Sequence, residues 1–152
     1  MPILKFLHIV SMFGAVTLAL GGAVFLYLIA RSRDIPAYRR IDAIVLRTDW
    51  VAGALFVAGI TFGILTAITS GFDLTASWLI LAYLLAGTIL AVDFLFVAPR
   101  QQQLRSAAAE PDPSAGDFER LVHTRGHLVG LVVGATLWVA IIFVMVTKPA
   151  LF

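Results

Sequence analysis

Four long apolar stretches, at about residues 3–30, 43–69, 76–99 and 120–147, take up nearly all of this 152-residue chain. Each exceeds the ~20 apolar residues needed to cross a ~30 Å hydrocarbon layer. One water-soluble core of this size lacks the volume to hide four such helices. The surrounding medium is therefore lipid, and the chain reads as an all-α integral membrane protein, an up-down four-helix bundle in a single transmembrane domain. Composition agrees. The chain is 61% hydrophobic and 13% charged, against roughly 25% charged in soluble domains.

The basic residues set an orientation rather than a nucleic-acid face. Arg31, Arg33, Arg39, Arg40 and Arg47 cluster around the first connection, and Arg100, Arg105, Arg120 and Arg125 flank the third-to-fourth connection. Only Lys5 and Lys148 fall on the opposite side. Arg-rich short loops stay cytoplasmic, so both termini and the 70–75 turn are expected on the periplasmic or outer side, and loop 100–118 in the cytoplasm. There is no cysteine, which excludes disulfides and thiolate-ligated centres. The first apolar run is too long for a signal peptide and its main positive charges follow it, so it reads as a retained helix.

Ionisable groups inside a bilayer are costly and point to function. Asp49 is expected about 9–12 Å inside the cytoplasmic end of span two, Asp93 about 9 Å inside that end of span three, and His123 and His127 one to three turns into span four. With Arg47 and Arg125 nearby they form a buried polar layer. Asp49, Asp93 and His127 are expected to point inward, with at least one Asp–His or Asp–Arg contact joining two helices. Three readings compete for this layer: a packing network with snorkelling arginines, a cofactor or metal site using one histidine, and a proton relay. The His123/His127 pair shares one helix face, but two ligands on one helix require a third from elsewhere.

At the opposite end His8 lies one to two turns inside span one. It is either an interfacial histidine bonded to a neighbouring helix or an axial haem ligand, since neutral imidazole binds iron well and a bundle can hold a macrocycle. His8 and His127 are separated by roughly 20 Å along the bundle and cannot clamp one iron together. A haem at His8 would take a lysine, a methionine or a partner chain as second ligand, or leave that position open. No metal other than haem iron is expected. Small-residue faces, Gly59/Gly63 on span two and Gly126/Gly130/Gly134 on span four, suit close helix approach and a homo-oligomer or partner membrane subunit.

The opening Leu4-Lys5-Phe6-Leu7-His8-Ile9 and the closing Val144-Met145-Val146-Thr147-Lys148-Pro149 resemble those of a bacterial family of predicted four-helix integral membrane proteins of unknown function. More distantly, the chain is similar to the HemJ-type protoporphyrinogen oxidases. There a first-span histidine, matched here by His8, is associated with haem b, and a lysine with activity. The lysine early in span three of that pattern is replaced here by Trp78-Leu79-Ile80-Leu81. The resemblance implies a multi-pass protein of the bacterial inner membrane. The expected function is haem b binding or a redox-linked role through His8, with His127 and His123 as further candidate ligands. The alternative is a non-catalytic accessory subunit of a larger membrane complex. Whether the chain is an enzyme is left open.

Overall fold

The computed structural model describes residues 2–110, 118, 120–122 and 125–148, with the backbone alone for Arg125 and His127. His123 and Pro149 lie outside the described residues. The first helix, α1, spans Pro2–Arg31 and the second, α2, spans Ile35–Thr69. The third span is composite: α3 covers Ser77–Val92, a π-helical turn covers Asp93–Val97, and α4 runs over Ala98–Ala109. The last helix, α5, spans Arg125–Thr147. Four of these segments are long and apolar enough to cross a membrane, and no strand occurs among the described residues.

Apolar association drives little between helices already dissolved in lipid, so small residues and close fit must hold them together. The chain meets this with two matched seams. On α2 the inward residues Tyr38, Asp42, Val45, Ala52, Phe56 and Gly59 follow alternating steps of four and three once Asp49 and Gly63 are included. On α1, Ser11, Ala15, Leu26 and Ala30 are buried. This spacing is that of helices packed at a shallow angle, ridge into groove. The α1–α2 pair forms the most extensive contact, α5 packs on α3 and α1, and α4 returns to α2 at the Arg-rich end.

The buried side chains fall into two clusters. One, at the Arg-rich end, gathers Leu26, Ala30, Tyr38, Val45, Leu104, Ala108, Phe118 and Val122. Tyr38 and Phe118 meet there edge to face at 5.2 Å. The other, towards the opposite end, joins Ala15, Phe56, Ala82, Trp138, Ile141 and Val144 from all four spans.

Two boundaries differ from the sequence expectation. The second helix begins at Ile35 rather than near 43, because Asp34 caps it by accepting from Ala37 N–H at 2.9 Å and Pro36 occupies its first turn. Proline is well placed there, where its missing N–H has no helical partner anyway. The third span passes through the π-turn, in which Ala98 N–H bonds Asp93 O, five residues back. Pro99 follows directly. A proline within a helix loses its own hydrogen bond and crowds the carbonyl four residues earlier, and the widened turn relieves that crowding.

Candidate functional site

Polar groups gather at both ends of the bundle. At the Arg-rich end the hub is an ion pair between α2 and α4. Arg105 Nε donates to both Asp42 carboxylate oxygens, at 2.7 and 2.8 Å. Asp42 is 9% exposed, so a charge is buried and compensated at the same point. Nearby, Arg39 caps the end of α4, its Nε donating to Ala108 O and its Nη2 to Glu110 O at 3.1 Å. Last-turn carbonyls lack helical partners, and a guanidinium fork supplies donors for them.

The expected layer of Asp49, Asp93, Arg47, Arg125, His123 and His127 falls partly outside the described residues. An Asp–Arg contact does join two helices, but it is made by Asp42 and Arg105. Asp49 is half-buried and lies within electrostatic reach of Arg105, Asp93 and Asp42. Asp93, expected to point inward, is exposed. It heads the π-turn, whose next residues Phe94, Leu95 and Phe96 are exposed as well. The carboxylate and these three side chains share the exposed side of the third span, while Val97 of the same turn approaches Gly130. Arg47 is exposed, and the side chains of His127 and Arg125, like His123, lie outside the described residues. Among the described residues no three His, Asp or Glu side chains converge as a metal-ligand group.

The glycine faces prove to be occupied from within the chain at three positions. A Cβ on Gly59 would lie 2.5 Å from Met12 Sδ, and one on Gly63 would lie 2.9 Å from both Cε1 and Nδ1 of His8. Both glycines therefore admit α1 rather than offering a free face. Gly126 likewise faces the Arg100 guanidinium at 2.5–2.8 Å. Only towards Gly134 is the space open, while Gly130 has Val97 at 3.9 Å. A cavity of about 20 Å³ sits beside this contact, lined by Ala23, Val97, Arg100, Gln101, Gly126 and Gly130.

At the other end His8 is the organising residue. Its Nδ1 lies 2.7 Å from Gly59 O. A carbonyl can only accept, so Nδ1 carries the proton and donates, and in the neutral ring Nε2 keeps its lone pair. Nε2 makes no hydrogen bond among the described residues. Below it, Lys148 closes the bundle. Its Nζ sits 4.3 Å from the Phe72 ring centroid and 5.3 Å from that of Trp78, and these rings meet edge to face at 5.6 Å. This cation–π contact ties the end of α5 to the α2–α3 turn.

A span count, two polar ends and matched glycine seams define a class: a small four-span integral membrane bundle. The chain belongs to a family described as "Predicted integral membrane protein (DUF2269)", whose model matches residues 2–149. No curated protein and no solved structure matches it.

Proposed function

We propose that this is a b-type haem-binding, redox-linked membrane protein in which His8 is the axial ligand. The observation that supports the reading is the His8–Gly59 hydrogen bond at 2.7 Å. Histidine ligands of metals characteristically donate their other ring N–H to a carbonyl or carboxylate, which fixes the tautomer and the ring plane and raises ligand basicity. Here the backbone of α2 does this for α1, and Gly63 leaves room for the ring. Haem, when bound, supplies reversible one-electron transfer. The chain supplies a held imidazole whose Nε2 keeps its lone pair. The Arg-rich end is assigned to the cytoplasm, so that His8 lies towards the outer face of the inner membrane. HemJ-like porphyrin oxidation has less support, because Trp78-Leu79-Ile80-Leu81 offers no lysine where that pattern has one. A pyridine haemochrome assay on protein purified from haem-replete cells tests the reading. Near-stoichiometric haem b is expected, and a colourless preparation overturns it.

A second reading, a non-catalytic subunit of a larger membrane complex or a homo-oligomer, is favoured by Asp93. A carboxylate facing hydrocarbon costs a few kcal/mol, and a partner helix over the exposed Phe94–Phe96 surface would cover it. Native mass spectrometry from mild detergent distinguishes the readings. A colourless protein with a stoichiometric partner selects the second, and a lone monomer removes it.

A further inference from the structure

The Asp42–Arg105 pair leaves hydrogen-bonding capacity unused in a place where unused capacity is expensive. Tyr38 is 1% exposed, yet among the described residues its hydroxyl has no hydrogen-bond partner, and the buried Arg105 Nη2 has none either. Both are donors. Tyr38 lies one helical turn before Asp42 on the inward seam of α2, and its phenol lies within electrostatic reach of both Asp42 and Arg105. On the far side of the pair, Asp49 is an acceptor that makes no hydrogen bond among the described residues, again within electrostatic reach of Arg105.

Orphaned donors on one side and an orphaned carboxylate on the other call for a small group that both accepts and donates. A cation is disfavoured by the guanidinium. A lipid headgroup is disfavoured by the enclosure of Tyr38. Water meets the requirement, because buried waters typically settle where two to four otherwise unsatisfied polar groups converge.

We propose that Tyr38, Asp42, Arg105 and Asp49 hold internal water on both sides of the Asp42–Arg105 pair, over a stretch of α2 that rises roughly 16 Å from Tyr38 to Asp49. One water accepts from the Tyr38 hydroxyl and donates to Asp42. Another accepts from Arg105 Nη2 and donates to Asp49. Val45 lies on the same seam between the two carboxylates, beside both waters. The second water hydrates Asp49 despite its depth, apart from His8.

Two measurements on the full chain test this. The first is hydroxyl-radical footprinting in oxygen-18 water, in which radicals born from bound water mark the side chains beside it. Tyr38 and Val45 are expected to take up label, while Phe56 and Trp138, buried in the other cluster, stay unlabelled. An unlabelled Tyr38 overturns the proposal. The second is the thermal midpoint of Tyr38→Phe. Deleting a hydroxyl that holds water is expected to lower it by about 2–4 °C. Deleting a hydroxyl that holds nothing relieves a buried unsatisfied group, so an unchanged or higher midpoint also overturns the proposal.

Discussion

Asp42 and Arg105 put a paired charge at the Arg-rich end of the bundle, and breaking that pair is costly because Asp42 is buried and Arg105 partly so. Asp42→Ala is expected to lower stability in detergent by about 3 kcal/mol, the low end for a broken buried pair. The double substitution Asp42→Ala with Arg105→Ala should cost clearly less than the two single costs added together, because the coupling between them disappears. Additive costs would show that the two groups act independently. At the other end Gly63 is the sensitive position. A methyl group there meets the rigid His8 ring at 2.9 Å, and the ring cannot yield without leaving Gly59 O. Gly63→Ala should cost about 1–3 kcal/mol as overpacking and weaken haem binding with it. Gly53→Ala, which meets nothing within 4 Å, is the matched control, and equal effects at both positions would sink the claim. Both variants are read by thermal melting in detergent.

The elements carry their own signals, some legible in the sequence and some hidden by tertiary geometry. The four spans were readable from length and apolarity alone. The start of α2 was readable in principle, since Asp34-Ile35-Pro36 is a helix-opening signature. Arg39, Arg40 and Asp42, however, make that first stretch look like loop. Asp42 falls within it, and nothing local links Asp42 to Arg105. Their contact depends on the third span continuing past Pro99 alongside the start of α2, which no local pattern specifies. The π-turn was invisible for a similar reason: Pro99 announces a disturbance but not the form it takes. His8 was readable as a candidate, whereas its Gly59 partner was read as an outward face. Small-xxx-small spacing reports close approach and not which helix approaches. The α2–α3 turn is simpler. Asp73 Oδ1 accepts from Thr75 Oγ1 at 2.7 Å and from Thr75 N–H at 2.9 Å, and these bonds hold the Asp73 carboxyl below its usual range. A lowered folded value means the bonds are fully present above the unfolded carboxylate value and are lost as pH falls through the folded one. Protection of the Thr75 amide from hydrogen exchange, corrected for intrinsic rate, should therefore drop in acid. Asp73→Asn should flatten that dependence, and an unaltered profile in the variant would contradict it.

For the whole molecule, orientation in the membrane is the first property to test. With basic residues massed around Arg31–Arg47 and Arg100–Arg125 and only Lys5 and Lys148 opposite, the Arg-rich end should face the cytoplasm. The absence of cysteine makes this simple to check with single cysteines in intact cells. Asp73→Cys should react with an impermeant thiol reagent and Gln102→Cys should not, and the reverse pattern would invert the bundle. On the proposed reading the two polar ends divide the work: a charged, hydrated anchor towards the cytoplasm and a held imidazole towards the outside. The visible absorption spectrum of the purified wild-type protein beside His8→Ala tests this account most directly. The account predicts a Soret band and a reduced α-band in the wild type, both lost in a His8→Ala protein that still elutes as a folded bundle. A His8→Ala protein that keeps the wild-type spectrum would contradict it, as would a wild-type protein with no band.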